Sequence, residues 1–541
     1  MNYLEAAKAW LSQDPDPQTQ AELAALIESQ DLDALQSRFA TRLEFGTAGL
    51  RGELGAGPNR MNRVVVAQAA LAIARFLLEN KKEFQDPQGE LSVVIGYDGR
   101  INSDVFAKDS AEIFAAQGIK AKLFDSKVPT PVACFTGAKL GASATIVVTA
   151  SHNPPRDNGY KVYLGGPLFG SQLVPPQDAE IAAHINEIAG SLRFEEIPKS
   201  KDLELLGQAQ IDDYISRAEQ LSLHAAKEEL TLTYTAMHGV GYRVIKPIFD
   251  SMKLSWVSVA QQQEPDGTFP TVSFPNPEEP GAMDLALETA RHHDSDLIIA
   301  NDPDADRLAV GVRSVEGYRM LTGDEVGLIL AEELVQSGRA KVIANSIVSA
   351  SLAPLASHHG VEYQQTLTGF KWISKVPNLG YGYEEALGYC VDPSHTPDKD
   401  GITAAVVMVD IARRLKDQGL SLLDHLAELY SRYGHLKTGQ VSIRVTDLSV
   451  ISKIMRGVRE NPLTEVLGDQ VEFEDLALGL KLQKTDGVII SNQKLRMIIR
   501  PSGTEPKLKC YLQYLGESDQ SAATGLAALK GFASDYLDSL K

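Results

Sequence analysis

Apolar residues recur at the helical period in three short stretches near the start of the chain, residues 4–11, 21–27 and 32–39, and predict a helical preface. A longer apolar helix is predicted over 64–78. Beyond it, β-branched apolar runs alternate with amphipathic ones. The predicted order is strand 91–97, helix 103–117 and strand 144–148. A tight turn at Asp157-Asn158-Gly159 then feeds another strand. The polar stretch 190–207 reads as a linker. After it come helix 211–223, strand 230–236, a helix following Gly241 and strand 256–260. The segment 264–280 has too many prolines for regular structure, and helix 281–291 leads into strand 296–300. A third region begins near Leu321, with helix 324–336, strand 341–347 and a long helix over 402–415. From about Leu436 the pattern changes to strands at 440–445, 488–491, 495–499 and 508–514, with helices near 449–459 and 518–540. The expected class is α/β, ending in an α+β module.

At 541 residues the chain exceeds one core and predicts three to five domains. The 43% apolar and 23% charged content fits a soluble enzyme, and no run approaches the ~18 uncharged apolar residues of a membrane span. Met1-Asn2-Tyr3-Leu4-Glu5 lacks the features of a secretory signal. Cys134, Cys390 and Cys510 are too few and too scattered for a disulfide framework or a cysteine-rich zinc site, so a reducing cytoplasm is expected. A net charge of -19 disfavours nucleic acid and anionic membranes as partners. An anionic small molecule must therefore meet a local basic site. A monomer or small homo-oligomer is expected.

Two loops carry the strongest chemistry. Thr149-Ala150-Ser151-His152-Asn153-Pro154-Pro155 follows the strand at 144–148, where open α/β sheets bind ligands, and its two prolines stiffen it. Asn301-Asp302-Pro303-Asp304-Ala305-Asp306-Arg307 follows the strand at 296–300. Three alternating carboxylates repel one another unless a hard cation lies between them, and Mg²⁺ suits an all-oxygen set. An EF-hand is excluded, because its sixth position holds Arg307 and its twelfth Arg313. A solvated acidic turn, or a phosphatase with an aspartate nucleophile, are the competing explanations. Five other features are weaker alone. Phe45 to Gly52 is a glycine-rich loop in which Arg51 adds a positive fork, and Lys161 lies near Ser151 in sequence. Glu384 and Glu385 stand between glycines, as hydroxyl acceptors or as an acidic turn. Lys399, flanked by Asp398 and Asp400, reads as a surface ion pair. Arg500-Pro501-Ser502-Gly503-Thr504, with Lys509 nearby, suits a phosphate and supplies the basic site.

The motifs FGTAGLRG, TASHNPP, DPDADR, GYEEALGY and RPSGTEPK, in this order over roughly residues 45 to 510, resemble those of the α-D-phosphohexomutase superfamily. The resemblance implies a helical extension over 1–44 and three similar α/β domains over 45–205, 206–318 and 319–435. A C-terminal α+β domain over 436–541, like the TATA-binding protein, would complete a central cleft. It implies Ser151 as phosphoserine, and Asp302, Asp304, Asp306 and a phosphoryl oxygen of Ser151 as Mg²⁺ ligands. Arg307, Arg51 and His152 would complete the reaction pocket, with Lys161 and Lys399 as general acid or base once their pKa values are lowered. Glu384, with Thr368 and Gly369, would bind the sugar, while Arg500, Ser502, Gly503, Thr504 and Lys509 would hold the nonreacting phosphate. The implied activity is phosphate migration between C1 and C6 of a hexose, glucose 1-phosphate to glucose 6-phosphate, with glucose 1,6-bisphosphate as activating intermediate. Ala386 stands where many phosphoglucomutases have Ser, a pattern similar to the phosphopentomutase and glucose-1,6-bisphosphate synthase branch. Glucose, mannose and pentose phosphates are therefore all open as substrates. A Mg²⁺-dependent phosphatase and a catalytically silent sugar-phosphate binder are the rivals from other classes.

Overall fold

The structure is a computed structural model describing residues 2–541 except 225–227, 446, 481–483 and 503–506. The chain packs as two units, Met1–Leu321 with Ala386–Gln418, and Thr322–Glu385 with Gly419–Lys541.

In the first unit, the preface forms helices Tyr3–Leu11, Pro17–Glu28 and Leu32–Phe39. Asn2, Asp16 and Asp31 start them by accepting backbone N–H groups of Glu5, Gln18 and Ala34. Their apolar faces, including Trp10, Leu23 and Phe39, join one core with the almost wholly buried helix Arg63–Glu79. The first sheet holds β1 (Leu50–Glu53), β2 (Ser92–Tyr97), β3 (Lys120–Phe124), β4 (Ala144–Val148), β5 (Asp157–Leu164), β6 (Ser171–Gln172) and β7 (Glu204–Leu206). Its order is β1-β5-β4-β2-β3-β7, with β6 beside β5. β4, β2, β3 and β7 are parallel, whereas β5 runs antiparallel to both β4 and β1. Two expectations change here. The stretch 190–207 is not merely a linker, because it contributes β7, which pairs with β3 at the sheet edge and leaves Leu205 exposed. Asp157-Asn158-Gly159 is not a turn but the start of β5, where a Cβ on Gly159 would lie 2.5 Å from the carbonyl of Thr149.

The second sheet contains β8 (Thr231–Thr235), β9 (Ser255–Ser258), β10 (Leu297–Ala300), β11 (Ala309–Ser314) and β12 (Gly317–Met320), in the order β12-β11-β10-β8-β9. β10, β8 and β9 are parallel, and β11 and β12 form an antiparallel extension. The helix Gly401–Asp417 also belongs to this unit, packing on helices Gln208–Glu219 and Tyr242–Ser251.

The second unit has β13 (Val342–Ser346), β14 (Glu362–Thr366) and β15 (Tyr381–Glu384), parallel and ordered β14-β13-β15. Its C-terminal sheet is antiparallel, with strands His435–Arg444, Lys507–Gly516, Leu495–Pro501, Val488–Ser491 and Glu472–Asp475 in spatial order. One face buries Val488, Ile490, Met497 and Leu512 against helices Ser449–Glu460 and Asp519–Ser539. The other packs Ile489, Ile498 and Tyr511 on Ile347 and Val348. The fold is thus three α/β domains followed by an α+β domain. Among the described residues no helix is long and apolar enough to cross a membrane.

Candidate functional site

β4 and β10 each end in a loop at the carboxyl edge of a parallel strand set, and the two loops meet within the first unit. Ser151 is 2% exposed, and its Oγ donates to Asp302 Oδ2 at 2.6 Å. Its φ of +53° lies in the left-handed region, which costs a non-glycine residue about 1–2 kcal/mol. Local bonds hold that conformation: the Ser151 N–H donates to Thr149 Oγ1 at 2.8 Å, and the Arg100 guanidinium donates to the Ser151 carbonyl at 2.7 Å. Arg51, on β1, reaches the loop by donating to Asn153 Oδ1 at 3.1 Å. His152 Nδ1 lies 3.2 Å from Ser151 Oγ. Loss of water, then the charges of Arg307 and Arg51, hold His152 well below the usual imidazole pKa, so it is neutral at neutral pH.

Asp302, Asp304 and Asp306 are each at most 1% exposed and present ligand oxygens within 4.8 Å of one another. The loop is fixed from three sides. Thr130 donates from its hydroxyl to Asp304 Oδ2 at 2.6 Å, and the Arg307 N–H donates to Asp302 Oδ1 at 3.0 Å. From the helix Gly401–Asp417, the Gly401 N–H donates to the Ala305 carbonyl at 3.2 Å. Gly401 permits this approach, because a Cβ there would lie 2.1 Å from the Arg307 carbonyl. Lys161 Nζ, carried by β5, donates to Asp304 Oδ2 at 2.7 Å and to Asp306 Oδ2 at 2.6 Å. Lys399 Nζ stands 3.3 Å from Asp306 Oδ2, its methylenes crossing Gly388 where any Cβ would collide.

Charge is unevenly compensated among the three carboxylates. Burial, then Asp304 and Asp306, push Asp302 well above the usual carboxylate range. Burial would also raise the other two, but Lys161 holds Asp304 down, and Lys161, Lys399 and Arg307 hold Asp306 down. Asp304 Oδ1 and Asp306 Oδ1 are buried without a hydrogen-bond donor among the described residues. Such orphaned anionic oxygens fit a hard divalent cation, since octahedral Mg²⁺ spaces its oxygens about 3–4 Å apart. Burial would lower Lys161, yet Asp304, Asp306 and Asp398 outweigh it and keep the ammonium raised. The lowered pKa expected of a lysine base is absent in this arrangement. Lys399 is not the surface ion pair its neighbours suggested; it is 8% exposed.

The second unit holds the remaining motif residues. Glu384, ending β15, accepts the N–H of Gly369 at 2.9 Å, and Gly369 takes φ +114°. Thr368 Oγ1 is buried without a hydrogen-bond partner among the described residues. Arg500 and Lys509 face each other across paired strands, and the Ser502 N–H donates to the Lys507 carbonyl at 2.8 Å. Burial, Glu385 and Glu384 raise the Tyr511 hydroxyl while Arg500 lowers it, so the acids and Arg500 share one neighbourhood. Gly503 and Thr504 lie outside the described residues. Sequence reasoning gave no role to Arg100 or Thr130. Asp98-Gly99-Arg100 follows β2 as a charged strand end, but nothing local marks what Arg100 holds.

The site is a buried hydroxyl beside a cation-ready carboxylate cluster, ringed by Arg and Lys: the equipment of metal-assisted phosphoryl transfer. Profiles of the phosphoglucomutase/phosphomannomutase α/β/α domains I, II and III match residues 42–191, 212–316 and 322–433. A probable phosphomannomutase of Haemophilus influenzae is 46% identical over 475 residues, 86% of this chain and 96% of that protein. The phosphoribomutase of Saccharomyces cerevisiae is 33% identical over 593 residues, 95% of this chain and 93% of its own length. Parafusin, the exocytosis-sensitive phosphoglucomutase of Paramecium, in its open form superposes with a TM-score of 0.71 at 18% identity, covering 92% of this chain and 96% of its own; that likeness is one of fold. The chain belongs to the phosphoglucomutase/phosphomannomutase family of the α-D-phosphohexomutase superfamily. It is an enzyme, an intramolecular phosphotransferase of the isomerase class.

Proposed function

We propose that this enzyme moves phosphate between C1 and C6 of a hexose, converting glucose 1-phosphate to glucose 6-phosphate through a phosphoserine at Ser151 and a glucose 1,6-bisphosphate intermediate. The observation that carries the reading is the buried Ser151 hydroxyl, 2.6 Å from Asp302 of the carboxylate cluster. Mg²⁺ held by Asp302, Asp304, Asp306 and an oxygen of phosphorylated Ser151 would neutralise charge on the transferring phosphoryl group. Arg307 and Arg51 add positive charge on the same side, where it is worth most at low dielectric. The free sugar hydroxyl attacks phosphorus, the bond from phosphorus to Ser151 Oγ breaks, and the sugar becomes a bisphosphate. Oγ regains a proton from the cationic pair Lys161 and Lys399, and the attacking hydroxyl gives its proton to the base they leave. The bisphosphate, turned end for end, then returns its other phosphate to Ser151. Glu384, Thr368 and Gly369 hold sugar hydroxyls. Arg500, Ser502, Gly503, Thr504 and Lys509 hold the nonreacting phosphate, which gives this acidic chain its attractive site for an anion.

Intact-mass measurement should find one phosphate on Ser151 after treatment with glucose 1,6-bisphosphate, and Ser151→Ala should carry none and turn over no substrate. Glucose 1-, mannose 1- and ribose 1-phosphate, each with trace bisphosphate, rank the substrates, with glucose 1-phosphate expected first. Failure of all three would remove the mutase reading in favour of a silent sugar-phosphate binder, and hydrolysis that survives Ser151→Ala would remove it in favour of a phosphatase. A pentose phosphate substrate is the second reading, favoured by Ala386 in place of a sugar-facing Ser, a loss of about 0.5–1.5 kcal/mol of hydrogen bonding. The yeast phosphoribomutase relative supports it too.

A further inference from the structure

We propose that Arg100 is a positioning residue, a clamp that holds the Ser151 loop in the conformation from which the serine gives and takes phosphate; this rests on the phosphoserine reading above. One guanidinium serves four backbone carbonyls of that loop. Nη2 donates to Ser151 at 2.7 Å and Asn153 at 2.6 Å, and Nη1 donates to Pro154 at 2.8 Å and Asp157 at 2.9 Å.

Those carbonyls need such a partner. Pro154 and Pro155 have no N–H, so the loop offers few donors of its own; the Asp157 N–H reaches the Pro154 carbonyl at 3.0 Å, and buried carbonyls left without a donor are costly. Ser151 also sits in a left-handed conformation that its side chain disfavours, and such residues persist where their surroundings over-determine them. Thr149 pins the amide side of Ser151 and Arg100 pins the carbonyl side. The clamp is itself held. Arg100 is 3% exposed, its Nε lies 3.6 Å from Asp98 Oδ2, and its guanidinium stacks 4.9 Å from the ring centroid of Phe269. Phe269 belongs to the proline-rich segment, which approaches closely over two glycines. A Cβ on Gly99 would lie 2.9 Å from Pro265, and one on Gly267 would lie 2.8 Å from the Gly99 carbonyl. The proline-rich segment thereby seals the guanidinium from water. Lysine does not replace this arrangement, because a single ammonium with three donors cannot span four acceptors set out for a planar fork.

The test uses the full-length protein as wild type, Arg100→Lys and Arg100→Ala, with three readouts: steady-state turnover, Ser151 phosphorylation by glucose 1,6-bisphosphate, and amide hydrogen exchange. Arg100→Lys should lower kcat by about 100-fold, the scale of an ångström's misplacement, while the sugar-phosphate KM stays within about threefold. Exchange should rise about tenfold or more in peptides from 149–159 and stay unchanged in the strands of the first sheet. Guanidinium ion at tens of millimolar, on the order of a weak-site Kd, should restore turnover to Arg100→Ala, and methylammonium should not. Arg100→Lys turnover within about threefold of wild type, or exchange rising evenly throughout the chain, would overturn the proposal. Should wild type itself neither turn over nor become phosphorylated, the mutase reading fails, while exchange over 149–159 still decides whether Arg100 holds the loop.

Discussion

Asp400 caps the helix Gly401–Asp417 by accepting the N–H groups of Ile402 and Thr403 and the Tyr214 hydroxyl, where water is excluded. Burial outweighs these bonds and raises its pKa from 3.8 to about 6. Because the folded state holds this proton more tightly than the unfolded state, the sign is the reverse of a salt-bridged carboxylate. Between about pH 4 and 6 the folded chain binds more protons, so this residue's contribution to stability falls as pH rises, by at most about 3 kcal/mol. Asp400→Asn keeps the acceptor without the ionisation. The Tm difference, variant minus wild type, should therefore grow from pH 4.5 to pH 7, and a flat difference would refute the assignment. Lys161 offers the opposite test. Removing one partner of a buried ion pair costs about 3–5 kcal/mol, so Lys161→Met should melt well below wild type in EDTA. Saturating Mg²⁺ supplies the missing positive charge and should close most of that gap; an equal gap in both buffers would argue against a cation between the three aspartates.

At the level of elements, the aspartate loop depends on a helix more than ninety residues further along the chain. Gly401 begins that helix against the Arg307 carbonyl, and a Cβ there would also meet Asn301 Nδ2 at 2.7 Å, a group that itself donates to Arg307. Gly401→Ala should push the loop and helix apart. Isothermal titration should show Mg²⁺ affinity about tenfold or more weaker, the range for disturbed outer-shell partners, with the protein still folded by circular dichroism. Unaltered affinity would show the loop to be self-supporting. Legibility divides along the same line. The strands at 144–148 and 296–300 were readable because both faces are buried, and the serine and carboxylate loops followed from their ends. β7 was hidden, being three residues at an edge with only Leu206 buried. β11 and β12 also went unread: β12 is only half-buried throughout, and β11 loses its apolar pattern at Arg313 and Ser314. Local pattern predicts loops that carry their own chemistry. It does not reveal Arg100, whose four acceptors lie more than fifty residues away in sequence, nor Thr130, whose partner Asp304 is 174 residues distant.

Across the whole molecule, a net charge of -19 repels a dianionic sugar phosphate at long range, so capture rests on a few placed cations. The reacting hydroxyl and its carboxylates all belong to the first packing unit, whereas Arg500, Lys509, Glu384 and the Thr368 loop belong to the second. In the proposed reaction Arg500 grips the substrate while Ser151 reacts, and these two roles separate kinetically. A charge-assisted hydrogen bond to phosphate is worth about 1.5–3 kcal/mol, so Arg500→Gln should raise the KM for glucose 1-phosphate about 10- to 100-fold. With that interaction made equally in ground and transition states, kcat should stay within about threefold, and Ser151 should still become fully phosphorylated at saturating bisphosphate. Added salt screens the lost contact in wild type alone, so the wild-type KM should climb with ionic strength more steeply than that of the variant. A fall in kcat at unchanged KM would instead place Arg500 against the transferring phosphoryl group, and its assignment to the nonreacting phosphate would fall.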